Sequence, residues 1–187
     1  MRTQTRLTVR MHSQDRRRFL TTLLGGSAGL LIGSKLRAAG TEAAQQRSAS
    51  DAALRPALLS ELGSGRATAY DNATKIVTLG RRTHVAWLDS TPQGFRVRVR
   101  ALDRRTGEWS PTVTVGEAMD NHGGPAMTAD ADGYLHIFYY PHHEPMRYRK
   151  SVRPNDSSEW EPEIRFGEKL SYPVVLCAKD GTLLMTA

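Results

Sequence analysis

Six histidines stand in this chain of 187 residues: His12, His84, His122, His136, His142 and His143. Imidazole is the side chain whose ordinary titration falls nearest neutral pH, so each ring is a candidate proton carrier. Two strings concentrate them, Asn121–His122 and Tyr139–Tyr140–Pro141–His142–His143. Three chemistries suit those strings. A histidine could take or give a proton as a general base or acid. His122, His142 and His143 could supply nitrogens to a metal, although no fourth ligand stands out. Or the rings make only local hydrogen bonds in loops. Residue types and spacing leave all three open.

What matters next is whether anything brings the strings together. Asp132–Gly133 lies between two apolar runs, Pro125–Ala129 and Tyr134–Tyr140, and Asp–Gly in that setting signals a tight hairpin. With Ala129 opposite Tyr134, paired positions sum to 263, so His122 falls opposite Pro141 and within one residue of His142. Opposed residues of an antiparallel pair lie ~4.5–5.5 Å apart, close enough for two imidazoles to share one small site.

The hairpin belongs to a repeat. Phe95–Ala101 aligns with Met146–Val152 at an offset of 51, as do Gly107–Pro111 with Ser158–Pro162, and Gly116–Glu117 with Gly167–Glu168. A third unit opens where Pro173–Leu183 matches Pro125–Leu135 at an offset of 48. Each unit reads as short strands divided by turns: Lys75–Leu79, Thr83–Leu88, Gly94–Leu102 and Thr112–Val115 in the first. The second reads Pro125–Ala129, Tyr134–Tyr140, Arg147–Val152 and Glu163–Phe166. Four antiparallel strands per repeat of this length is the plan of a β-propeller blade. The fold class is therefore all-β: two four-stranded blades, at about 70–118 and 119–168, and the start of a third at 169–187. A propeller closes with roughly 4–8 blades, so the chain is expected to be the N-terminal part of a longer ring.

The turns Asp103–Trp109 and, more weakly, Asp156–Trp160 resemble the Asp-boxes of BNR-repeat propellers. The string Asp120–Ser151, with its Asn-His and Tyr-Tyr-Pro-His-His elements, is similar to the BNR-repeat family that includes ulvan-lyase-type polysaccharide lyases. The resemblance spans about residues 70–187. It implies cleavage of a uronate-containing polysaccharide by β-elimination. The sugar carboxylate is neutralised, a base removes the C5 proton, and an acid assists the leaving oxygen. Carried over by motif, His122 and His142 become the catalytic residues, with His143 their neighbour. Asn121, Tyr140 and His143 are expected substrate contacts, and Arg147 and Arg149, which repeat the alternating arginine pattern of Arg96, Arg98 and Arg100, are expected partners of the sugar carboxylate. Its runner-up is a non-catalytic glycan-binding or scaffold propeller.

Other residues take structural readings. Arg96, Arg98 and Arg100 alternate with valines and form a basic, solvated strand face. His84 and His136 recur at matching strand positions and should pack. Tyr139, Tyr140 and Tyr172 could stack on sugars, but aromatic residues at blade positions usually fill a core. Trp109 and Trp160 recur with the repeat and are structural, Asp130 and Asp132 serve a turn, and Cys177 should be a buried small residue. A sialidase is disfavoured because no Arg-Ile-Pro motif is present, and the repeat sets no two carboxylates together for an ordinary glycosidase.

The net charge of +7 suggests nucleic acid until it is divided by position. Residues 1–40 hold eight basic groups and one acidic group, 8 − 1 = +7, leaving 18 of each sign beyond them. An electroneutral body gives no support to a nucleic-acid partner. Arg16–Arg17, followed by Arg18, Phe19, Leu20 and a modest apolar run to Gly33, resembles a twin-arginine signal peptide. Residues 1–40 are thus read as an export leader engaging the twin-arginine machinery, with 41–66 a linker bearing one helical turn near Ala57–Leu62. Residues 67–187 are the propeller. The mature protein is expected in the periplasm or outside the cell, without a membrane anchor. One cysteine excludes a disulfide framework, and neither a cofactor nor a metal is assigned.

Overall fold

The computed structural model describes residues 6–9, 56–68 and 73–187. The rest of the expected leader, and the linker before residue 56, lie outside the described residues. Among the described residues there is no helix; the elements are eleven strands in three antiparallel sheets. The first sheet runs β2 (Ile76–Leu79), β3 (Arg82–Thr91), β4 (Gly94–Asp103) and β5 (Val113–Ala118) in sequence order. The second repeats the plan with β6 (Ala126–Ala129), β7 (Leu135–Tyr139), β8 (His142–Lys150) and β9 (Ile164–Ser171). The third holds the hairpin of β10 (Val174–Cys177) and β11 (Leu183–Thr186), with β1 (Arg6–Val9) paired antiparallel along the other edge of β11. Two four-stranded blades and the opening hairpin of a third are the arrangement the repeat requires.

The blades are joined mainly by apolar side chains, together with a main-chain hydrogen bond from Met127 N–H of β6 to Thr74 O, just before β2, at 2.7 Å. Ala86, Leu88, Val97, Val99 and Val115 of the first sheet meet Met127, Ile137 and Tyr139 of the second. Phe138, Met146 and Tyr148, on the second sheet's opposite face, meet Val175, Leu183 and Met185 of the third. Strand β7 therefore lies between two cores and is buried at all five positions. Strand β4 of the first sheet alternates instead: Val97, Val99 and Ala101 are buried while the intervening arginines are half-buried. Truncating a core residue such as Ile137 to Ala would cost ~2–5 kcal/mol.

Turns fix the register. Asp103 Oδ1 accepts from the backbone N–H groups of Arg105 (2.8 Å) and Thr106 (3.3 Å), and Asp156 Oδ1 accepts from Ser158 N–H (2.9 Å). The second repeat's hairpin closes one residue later than the sequence suggests, with Ala129 opposite Leu135. Asp130 and Tyr134 bond through the backbone at 3.0 Å, and Gly133 takes φ +86°, a conformation that accommodates the additional residue. Paired positions hence sum to 264, and His122 maps directly onto His142.

Other differences have local causes. Strand β8 begins at His142, not Arg147, so His142 and His143 are strand residues. No helical turn forms at Ala57–Leu62. Instead β3 outruns the short β2, and Leu62–Ala67 supplies the missing partners: Ser64 N–H donates to Leu88 O, Leu88 N–H to Ala67 O, and Ser90 N–H to Leu62 O. Cys177 is half-buried at the edge of the second core instead of fully enclosed. The arginines of β4 are half-buried and engaged: Arg98 lies 3.4 Å from buried Asp89, and Arg100 Nε donates to Ser110 O.

His84, fully buried, links the two complete blades. Its Nδ1 lies 3.0 Å from Ser157 Oγ and its Nε2 2.9 Å from Asn155 Oδ1. Asn155, at φ +51°, also donates through Nδ2 to Leu79 O. The Asp-box-like turn of one blade is thereby fastened to the inner hairpin of its neighbour.

Candidate functional site

The connection from β5 to β6 passes back beside the exit of β7. Met119 N–H donates to Tyr140 O and Tyr140 N–H to Gly123 O, each at 3.3 Å. Gly123 is needed at this crossing, since a Cβ there would stand 2.5 Å from the Tyr140 carbonyl oxygen and 2.8 Å from Ala118 Cβ. Between these ties Asp120 folds an Asx turn, its Oδ1 accepting from His122 N–H at 2.7 Å.

Asp120 then reaches both imidazoles. His122 Nδ1 is 3.2 Å from its Oδ1 and His142 Nδ1 is 2.7 Å from its Oδ2. The two rings stack, with centroids 4.1 Å apart and planes at 26°. His143 stacks on the far side of His142 at 4.7 Å, and the Tyr172 ring lies 6.1 Å from His122 and 6.3 Å from His142. His122, His142 and Asp120 are all half-buried, so each keeps some contact with solvent. Burial works against the Asp120 charge, but the His122 backbone N–H and the two imidazoles outweigh it and hold the carboxyl below its ordinary range.

Backbone strain gathers at the same place. Tyr140 (φ +92°), His143 (φ +65°) and Tyr172 (φ +55°) are non-glycine residues in the left-handed region, each costing ~1–3 kcal/mol. Three such residues around one cluster are the mark of a site whose geometry is enforced by its surroundings.

Asp120, His122 and His142 bring three metal-ligating atoms within 4.8 Å of one another. Their present geometry favours proton sharing over chelation. Both Nδ1 atoms already face Asp120 carboxylate oxygens, at 3.2 and 2.7 Å, which is hydrogen-bonding distance and well beyond the ~2.0–2.1 Å of a zinc–nitrogen bond.

Residues 68–187 match the BNR repeat-containing family, which is most of the described structure. The chain belongs to the BNR repeat-containing family. It is also 35% identical over 82 residues to a protein named Ulvan Lyase-PL25 from Pseudoalteromonas sp. (strain PLSV). That alignment takes in 36% of this chain and 15% of the relative, so the chain spans a small part of that relative's length.

In this BNR-repeat chain the remaining expected site residues divide. Asn121 is half-buried beside His122. Tyr140 carries the Arg147 guanidinium over its ring at 3.4 Å, and it packs against the first core. Arg147 and Arg149 stand opposite Tyr139 and Ile137, on the face toward the first blade. Arg147 Nη1 lies 3.4 Å from Glu163 Oε2, which also accepts from the Tyr139 hydroxyl at 2.9 Å. The two arginines thus belong to the layer between the blades, while the imidazoles occupy the rim.

Sequence reasoning missed Asp120 altogether and noted Tyr172 only as one of several aromatic residues. An Asp two positions before a histidine is a readable signal, since that spacing lets the carboxylate cap the histidine's own N–H. Tyr172 had no comparable signal: it arrives from the link between β9 and β10.

Proposed function

We propose that this chain acts on an acidic, uronate-containing polysaccharide by β-elimination, with His122 and His142 at the reacting centre. The observation that carries the reading is the pair of stacked imidazoles sharing the Asp120 carboxylate on a half-buried rim. Membership of the BNR-repeat family and the partial likeness to a protein named as an ulvan lyase support the substrate class.

In the proposed reaction one neutral imidazole removes the proton from C5 of the uronate. The electron pair of that C–H bond becomes the C4=C5 double bond, the C4–O bond breaks, and the departing oxygen takes a proton from the second histidine. A cationic imidazole also offsets the charge that gathers on the sugar carboxylate. Tyr172 offers an aromatic face at the rim, His143 and Asn121 flank it, and Arg147 and Arg149 contribute positive potential from behind through Tyr140. Positioned proton transfer of this kind is worth ~10²–10⁴ in rate. The twin-arginine sequence at Arg16–Arg17 supports export, so the polymer would be met outside the cytoplasm.

The test is ultraviolet absorbance of the unsaturated uronate, read for wild type, His122→Ala and His142→Ala on a panel of acidic polysaccharides. The proposal expects a gain with wild type and a loss of at least ~100-fold in each variant. Saturable glycan binding with no absorbance gain would replace it with the glycan-binding reading.

A further inference from the structure

We infer that Asp120 is a positioning residue that sets the proton pattern of both imidazoles at once. The inference deepens the reading above and rests on it for its functional meaning, but its test does not.

A carboxylate accepts hydrogen bonds and donates none. Asp120 presents one oxygen to His122 Nδ1 at 3.2 Å and the other to His142 Nδ1 at 2.7 Å. Each ring, when neutral, must then carry its hydrogen on Nδ1 and keep its lone pair on Nε2, because the bond made by one ring nitrogen decides the state of the other. Two rings drawn from opposite ends of a hairpin are given the same tautomer by one side chain. The carboxylate is itself held: His122 N–H donates to Oδ1, Gly123 N–H donates to the Asp120 carbonyl at 3.2 Å, and the net of its contacts keeps it ionised. Stacking at 4.1 Å fixes the rings relative to each other, so rotating either would break its bond to Asp120.

The isosteric amide separates this role from simple packing. An Asn at position 120 has one accepting oxygen and one donating NH₂. The oxygen stays with the His122 N–H, as Oδ1 does now, which turns the NH₂ toward His142 Nδ1. His142 must then accept at Nδ1 and carry its hydrogen on Nε2, whereas His122 keeps its hydrogen on Nδ1.

Long-range ¹H–¹⁵N correlation spectra of the histidine rings, recorded on the whole chain at mildly alkaline pH, read these states directly. The expected result is Nδ1–H for both His122 and His142 in wild type, and Nε2–H for His142 alone in Asp120→Asn. Asp120→Glu, which keeps a carboxylate, should preserve the wild-type pattern. The buried rings of His84 and His136 report in the same spectrum whether the variant has kept its fold. Nε2–H on either rim histidine in wild type overturns the inference without any variant, and so does an unchanged His142 in a folded Asp120→Asn. Because no substrate is present, absence of elimination leaves this result standing, and a wrong tautomer leaves the elimination assay standing. Where elimination is observed, Asp120→Asn should lower kcat by at least ~100-fold with little change in KM.

Discussion

His122 and His142 stack with ring centroids 4.1 Å apart although they approach the hairpin from opposite ends. The contact is set by a register in which Ala129 faces Leu135, and by the left-handed residue Gly133 that closes the turn. The rim cluster is therefore only as well placed as the crossing of the β5–β6 connection over Tyr140.

Gly123→Ala tests that crossing. Its new methyl would meet a carbonyl oxygen at 2.5 Å, and backbone cannot step aside as the end of a flexible side chain can. A loss of ~1–3 kcal/mol is expected in urea unfolding, the range for inserting a methyl into a close-packed place. The His122 ring resonances should shift even where the protein remains folded. A neutral effect on both would show that the loop is not held against Tyr140.

Tyr139 tests the contact between blades. Its hydroxyl donates to Glu163, its ring crosses Gly116 where a Cβ would lie 2.5 Å from the oxygen, and burial followed by the Glu163 charge pushes the phenol well above its ordinary value. Tyr139→Phe should cost ~1.5–3 kcal/mol, as expected for a hydrogen bond to a charged group. Gly116→Ala should be destabilising as well. Chemical denaturation at neutral pH checks both.

Acid should weaken the fold through His84 and His136. Burial is the largest influence on each and holds both below the ordinary 6.5, against the opposing pull of Asn155 on one and Asp130 on the other. Lowered folded-state values mean that the unfolded chain binds these protons first as pH falls. The stability they contribute is present above pH 6.5 and is lost below it, at up to ~1.4 kcal/mol per pH unit for each proton. His84→Gln should flatten the dependence of the unfolding midpoint on pH between neutral and mildly acid solution. A slope unchanged from wild type would contradict the assignment.

The sequence disclosed the parts of this molecule that repeat. The recurrence of Glu108–Trp109–Ser110–Pro111 at Glu159–Trp160–Glu161–Pro162 marked the blades, and Asp132–Gly133 marked the hairpin, because both are local patterns with a fixed physical cause. What stayed hidden depends on chain crossings that leave no period. Asp120 sits in an irregular connection, and its role follows from the return of β7 beside it. Tyr172 reaches the cluster from the far end of the second blade. Arg147 looked available to a sugar carboxylate until strand pairing put it opposite Tyr139 and next to Glu163. The docking of Leu62–Ala67 on β3 was hidden for a similar reason: a short stretch with glycines at 63 and 65 carries no strand period, and its partner is the otherwise unsatisfied backbone of β3.

The most direct test is a crystal structure of this chain with a short uronate oligosaccharide. One sugar is expected at the rim, its carboxylate or C5 within hydrogen-bonding reach of the Nε2 atoms of His122 and His142, and the Tyr172 ring against the adjoining residue. An oligosaccharide bound elsewhere, with the two imidazoles untouched or drawn apart from Asp120, would contradict it.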